Sequence, residues 1–269
     1  MDTRTVAGSG IPGERALEVR DLAVAYGRRP VLEGVTLTVP RGAMVGVVGP
    51  NGGGKSTLLK AVLGLVLHLR GEVEVLGRPV DRRARQRVGY VPQREHVAWN
   101  FPVSARDVVM MGRIPSMRLL QRPTAHDLEL VRDALRTVGM EALADARIGE
   151  LSGGQQQRIF LARALAQETE ILLLDEPVSG VDAPSQHEIF DLLRGLQEDG
   201  KTVIVTTHDL SCVAERFDLA LLLNRRVVAF GKPEEVFTPE LLNETYQSHL
   251  MILKVGDRTV AIEEGGHGA

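Results

Sequence analysis

An α/β fold with a mostly parallel sheet, an antiparallel β region and a helical subdomain is the architecture this sequence predicts. Three observations carry it. Short continuous apolar runs, at residues 44–48 and 171–174, have the profile of strands buried on both faces. Stretches at helical spacing alternate with such runs, and that alternation builds a parallel sheet covered by helices. Between about residues 101 and 149 the strand pattern stops, and helical stretches follow, broken by Pro102, Pro115 and Pro123.

Residues 1–13 are polar, with Thr, Gly, Ser and Pro and no repeat, and predict a disordered leader. Residues 17–26 and 35–39 read as strands, the second by apolar–polar alternation. The run 44–48 ends at Gly49-Pro50. After Lys55 the spacing turns helical, with Leu58, Leu59, Val62, Leu63 and Val66 along one side. Residues 73–76 and 88–91 are short strands. Helices are predicted at 104–111, 125–138 and 140–144, and another, capped by Ser152, runs to about Ala166. The pattern then gives strand 171–174, helix 184–196, strand 202–206, helix 210–216 and strand 219–223. Residues 251–255 and 259–262 flank Gly256-Asp257 as a small hairpin.

A chain of 269 residues buries a substantial core as one large domain or two small ones. Hydrophobic residues at 43% and charged residues at 25% place it among ordinary soluble globular proteins. A net charge of -3 excludes a general nucleic-acid binder, since no basic excess is available to neutralise phosphates. Arg82, Arg83, Arg85 and Arg87 read as a solvated face. The lone Cys212 excludes an intramolecular disulfide, fits a reducing compartment and reads as a helix-packing residue. There is no secretory core near the start, and every apolar run is far shorter than the ~20 residues that span a bilayer. A soluble chain is expected, one that serves any membrane from outside the lipid.

Chemistry concentrates in a few segments. Residues 49–57, Gly-Pro-Asn-Gly-Gly-Gly-Lys-Ser-Thr, match G-x-x-x-x-G-K-[ST] between a predicted strand and a predicted helix. Gly49, Gly52, Gly53 and Gly54 let the backbone curl until successive N–H groups point at phosphate oxygens, with Asn51 in the same binding loop. The helix start adds positive partial charge, Lys55 reaches the β- and γ-phosphates, and the Ser56 hydroxyl, with Thr57 beside it, suits Mg²⁺. Residues 171–177, Ile-Leu-Leu-Leu-Asp-Glu-Pro, place two acids at the end of a buried strand. Asp175 suits Mg²⁺, and Glu176, one residue on, suits polarisation of an attacking water. Residues 151–155 read Leu-Ser-Gly-Gly-Gln; Ser152, Gly153, Gly154 and Gln155 offer a hydroxyl and unhindered N–H groups at a helix start, an anion-binding arrangement.

Together, in this order, these segments resemble the ATP-binding subunit of an ABC transporter, over roughly residues 17–237. The resemblance implies a P-loop ATPase core that binds ATP and Mg²⁺, with Lys55, Gln93, Glu176 and His208 as the catalytic set. It implies a homodimer that sandwiches ATP head to tail, each Leu-Ser-Gly-Gly-Gln run touching the γ-phosphate held by the other subunit's loop. Residue by residue, Tyr26 matches the aromatic ring that stacks on adenine. Gln93 matches the glutamine that touches Mg²⁺ or water and links the site to the membrane partner. Asp182 matches the loop that crosses the dimer seam, and His208 matches the switch histidine at the γ-phosphate. Mg²⁺ falls to Ser56, Gln93 and Asp175.

Residues 91–113, Ile148-Gly149-Glu150 and the Gln155-Gln156-Gln157 run are similar to the ATPases of importers for manganese, zinc or chelated iron. The resemblance therefore implies a polytopic membrane permease as partner, an extracytoplasmic solute-binding protein behind it, no nucleic acid, and a peripheral place on the cytoplasmic face of the membrane. Trp99 and Phe101 suit burial of an incoming helix from the permease, or else pin the insertion to its own core. The implied limits are a leader at 1–13, an ATPase domain at 14–240 with its helical subdomain at about 98–158, and an appendage at 241–269. Importers of another solute, such as a siderophore or haem, share these motifs. So do soluble ABC ATPases acting on ribosomes or DNA, although those usually join two ATPase units or insert long coiled coils.

Overall fold

The computed structural model describes residues 14–93, 102–118, 121–246, 250–255 and 258–263. The chain begins with β1 (Arg15–Tyr26), β2 (Arg29–Pro40), β3 (Met44–Val48), α1 (Lys55–Val62), β4 (Arg70–Val75) and β5 (Arg78–Pro79). Next come α2 (Arg82–Gln86), β6 (Val88–Val91), α3 (Ala105–Met110), α4 (Ala125–Thr137), α5 (Gly153–Ala166), β7 (Ile171–Asp175) and α6 (Ala183–Glu198). Then follow β8 (Thr202–Thr206), α7 (Leu210–Arg216), β9 (Leu219–Asn224), β10 (Arg226–Gly231), α8 (Pro233–Val236), α9 (Pro239–Tyr246), β11 (Leu250–Val255) and β12 (Arg258–Glu263). The expected leader, Trp99, Phe101 and the expected turn at Gly256-Asp257 lie outside the described residues; β11 and β12, before and after 256–257 in the chain, pair antiparallel. Among the described residues no helix is long and apolar enough to cross a membrane.

Two units divide the chain, Met1–Asp81 with Ile204–Ala269, and Arg82–Val203. The first holds an antiparallel sheet of order β2-β1-β4-β5, which is the antiparallel region expected from the sequence. It also holds β3, paired parallel with β9, which in turn pairs antiparallel with β10. Every residue of β3 is buried, as a continuous apolar run in a covered sheet requires. Helix α1 is shorter than its apolar spacing suggests. It ends at Val62, where Leu63 caps it and Gly64 turns left-handed at φ 62, so Val66 leaves the helix. Strands β5 and β10 and helices α8 and α9 have no counterpart among the elements expected from the sequence.

In the second unit β6 and β7 run parallel, from Val88 opposite Ile171 to Val91 opposite Leu174. Helices α3, α4 and α5 pack on one another, and each starts with a reciprocal capping box: Ser104 with Asp107, Thr124 with Asp127, and Ser152 with Gln155. Such caps contribute about 1 kcal/mol each. The helix expected at 140–144 is instead a 3₁₀ turn, Glu141–Leu143. Gly139 is left-handed at φ 68, and the short stretch after it cannot repay the nucleation of an α-helix.

Arg113, in the 3₁₀ turn Met111–Ser116, is 5% exposed and ties these helices together. Its Nε donates to Asp127 Oδ1 at 3.0 Å, and its Nη1 donates to Ala166 O at 2.8 Å and Glu168 Oε2 at 2.9 Å. The Thr124 hydroxyl and N–H, donating at 2.6 and 2.9 Å, together with Arg113 hold the Asp127 carboxyl down to about 2. A depressed folded value stabilises the protein above the unfolded carboxylate value of ~4, and the contribution is lost as pH falls through the folded one. Wild-type stability toward urea is therefore expected to decline between about pH 4 and pH 2 by more than that of Asp127→Asn. Paired urea titrations across that window check it; parallel declines would contradict it.

Candidate functional site

The first unit supplies a phosphate-shaped loop. Strand β3 delivers the chain to Gly49, and α1 begins at Lys55 after Gly54, which sits left-handed at φ 98 in the N-cap position. A side chain is excluded at Gly49, where a Cβ would lie 1.9 Å from Leu223 O. Gly53 is nearly as tight, with Leu223 O and Pro50 O both 3.0 Å from such an atom. Lys55 is 6% exposed, and its Nζ donates to Gly49 O at 2.8 Å and Pro50 O at 3.2 Å, so a buried ammonium lies over the loop. Ser56 and Thr57 follow in the first turn of α1, at the positive end of the helix, while Asn51 and Gly52 are exposed at the rim. The curl, the buried cation and the helix start fit a polyphosphate.

Two other sequence-predicted residues belong to this unit. Tyr26 ends β1 and is 52% exposed, a flat apolar face turned to solvent. His208 is exposed just beyond β8, and the backbone on either side of it is anchored. Thr207 N–H donates to Val47 O at 3.1 Å and Asp209 N–H donates to Thr207 Oγ1 at 3.1 Å. Asp209 in turn caps α7 by accepting from the Cys212 N–H at 2.9 Å. Burial, reinforced by Asp209, pushes the Cys212 thiol up to about 12, which removes it as a nucleophile.

The second unit supplies the acids. Strands β6 and β7 are in parallel register, so Gln93 and Glu176 leave their matched ends Val91 and Leu174 at the same spacing and meet. Gln93 Nε2 donates to Glu176 Oε2 at 3.2 Å. Glu176 adopts a left-handed backbone at φ 47, a conformation that disfavours an L-residue by roughly 1–2 kcal/mol and often marks a functional position. Asp175 is 3% exposed at the end of β7, and the Tyr90 hydroxyl donates to its Oδ2 at 3.4 Å. Burial first, and then the Asp175 charge and this hydrogen bond, push the Tyr90 phenol well above its ordinary range. A buried carboxylate beside a second carboxylate and a carboxamide is a hard-oxygen donor set, which fits Mg²⁺.

The Leu-Ser-Gly-Gly-Gln run opens α5 in the same unit. Ser152 Oγ accepts from the Gln155 N–H at 3.3 Å, and Gln155 Oε1 accepts from the Ser152 N–H at 2.9 Å. Gln155 is thus spent on capping. The Ser152 hydroxyl accepts in the cap and still carries its own proton to donate. Gly153 and Gly154 form the first turn, and a Cβ on Gly154 would lie 2.8 Å from Ser185 Cβ. Ser185 belongs to the start of α6, which Asp182 caps by accepting its N–H at 3.0 Å. That bond holds the Asp182 carboxyl below its ordinary value.

Each unit therefore assembles its own share of the predicted residues: loop, Tyr26 and His208 in one, Gln93, Asp175, Glu176, the α5 start and Asp182 in the other. Two contributors were absent from the sequence reading. Tyr90 was signalled only by its position before Gln93, and its approach to Asp175 depends on a strand register that no residue pattern reveals. The turn at 223–225, which closes against the glycines, lies far along the chain from the loop it touches.

The family model described as ABC transporter matches residues 32–179. The chain is 49% identical over 238 residues to the manganese transport system ATP-binding protein MntB of Bacillus subtilis, covering 88% of this chain and 95% of that one. It is 48% identical over 231 residues to the zinc transport system ATP-binding protein TroB of Treponema pallidum, covering 86% of each. Among solved structures it superposes with a TM-score of 0.82 and 30% identity on a chain of an inward-facing ABC transporter assigned to the metal-chelate type, covering 93% of this chain and 97% of that one.

Proposed function

This chain belongs to the ATP-hydrolysing subunits of ABC transporters, and from that premise we propose that it powers import of a transition metal, manganese, zinc or iron. The observation that carries the cargo class is the 49% identity to a manganese-system subunit over nearly the whole of both chains. The insertion that follows Gln93, similar to that of metal-importer ATPases, supports the same reading. Selectivity itself then belongs to a polytopic permease and an extracytoplasmic solute-binding protein. The subunit works peripherally on the cytoplasmic face, as a homodimer. Its ATPase domain is 14–240 with the helical subdomain at about 98–158, and 241–269 is an appendage.

Catalysis in this proposal is positioning plus electrostatics. Lys55 and the N–H groups of the loop offset phosphate charge, and Tyr26 stacks on the base. Glu176, oriented by its hydrogen bond from Gln93, aligns the attacking water and takes its proton. His208 contacts the γ-phosphate from its anchored turn. Ser56, Gln93 and Asp175 would hold Mg²⁺, which supplies further neutralisation of phosphate charge when bound. The Ser152 hydroxyl and the Gly153 and Gly154 N–H groups complete the site of the second subunit, with Asp182 at the seam between the two.

Deletion of the gene is expected to lower cellular accumulation of one of these metals. The wild-type gene should restore it, and a Trp99→Ala, Phe101→Ala double variant should not, although its purified protein still binds nucleotide. Radiometal uptake checks both parts. Undiminished accumulation of all three metals in the deletion strain would overturn the cargo, and full rescue by the double variant would overturn the docking role.

A further inference from the structure

The phosphate loop has a partner in the first unit that none of its motifs contains. Asn224 and Arg226 pair across the tight turn between β9 and β10, which leaves Arg225 at its tip in the left-handed region, φ 59. From there the Arg225 N–H donates to Gly53 O at 2.8 Å. Its carbonyl accepts from the Glu33 N–H of β2, also at 2.8 Å. On one side of Arg225, Leu223 O is the atom against which a side chain at Gly49 or Gly53 would collide. On that side too, the Asn224 carboxamide donates to Thr245 O at 2.8 Å, satisfying a carbonyl near the end of α9. The turn is thus pinned from β2 and from α9 while it presses on the loop.

A trans peptide is planar, with its C=O and N–H pointing in opposite directions. Holding Gly53 O toward Arg225 therefore turns the Gly54 N–H, on the other end of the same peptide, away from the turn. We propose that Arg225 is a positioning residue for nucleotide binding: its backbone N–H, presented by the left-handed turn, aims the Gly54 N–H at the phosphates. The side chain is not the active part. What matters is an N–H at a position that tolerates φ near 59. This rests on the ATPase reading above.

Affinity for ADP with Mg²⁺, measured by calorimetry on the full chain, tests it, with the melting point of each nucleotide-free protein recorded alongside. Arg225→Val disfavours the left-handed conformation and is expected to weaken ADP binding by on the order of tenfold. Arg225→Gly supplies the same N–H, takes the same φ without strain, and should restore wild-type affinity. In steady state the Val variant should raise KM for ATP more than it lowers kcat, a split that general destabilisation would not produce. Wild-type affinity in a folded Arg225→Val protein would overturn the inference. Equal loss in the Val and Gly variants would also overturn it, by assigning the effect to the guanidinium. Failure of the wild-type chain to bind ADP or ATP would instead overturn the ATPase reading beneath it.

Discussion

Glu176→Gln is expected to lower ATP turnover by about 10²–10⁴-fold while leaving ATP affinity within a few-fold of wild type. The substitution is nearly isosteric, and a carboxamide oxygen still accepts the hydrogen bond that Gln93 Nε2 now gives to Glu176 Oε2. The backbone at φ 47 is no more strained with glutamine than with glutamate. What disappears is the ability to take a proton from the attacking water. Binding, which the proposal assigns to the loop around Lys55, is untouched, so the variant should hold unhydrolysed ATP long enough for a closed dimer to accumulate. Single-turnover hydrolysis, together with retention of radiolabelled ATP on the purified variant, measures both effects. Wild-type turnover would remove Glu176 from the chemistry.

Arg113→Ala is expected to destabilise the protein by about 3–5 kcal/mol, a large share of the roughly 5–15 kcal/mol that holds a domain folded. Arg113 is 5% exposed, and its guanidinium serves Asp127, Ala166 O and Glu168 together. Removing it leaves the Asp127 carboxylate buried without its cation and a carbonyl near the end of α5 without its donor. Arg113→Lys should recover only part of the loss, because an ammonium on a flexible stem cannot reproduce the planar fork. Urea unfolding monitored by circular dichroism gives the difference. An unchanged midpoint would show that the helices around Arg113 stand without this tie.

Much of the fold was legible because its signals are local. The covered strands β3 and β7 are continuous apolar runs, and α5 announces itself by a serine cap, although the glutamine that closes its box came only with the structure. The phosphate loop was legible for a similar reason, since glycines that exclude side chains, a lysine and a hydroxyl sit within one short segment. Illegible features depend on distant partners. The early end of α1 hangs on the left-handed Gly64, which the apolar pattern runs straight past. The meeting of Gln93 with Glu176, and of Tyr90 with Asp175, follows from the parallel register of β6 and β7. Arg225 reads as an ordinary surface arginine until its turn is found against Gly53. Asp182 shows a further limit: the residue assigned to the seam also caps α6, a double use that a motif match does not disclose.

The claim on which the rest depends is that one subunit carries only part of each ATP site, the Ser152–Gly154 segment of a second copy completing it. Specific ATPase activity measured against subunit concentration tests this most directly, with mass photometry reporting the state of association at each point. Activity per subunit should rise with concentration in step with the dimer fraction and fall toward zero where the chain is monomeric. Constant activity per subunit down to concentrations at which only monomer is present would contradict it.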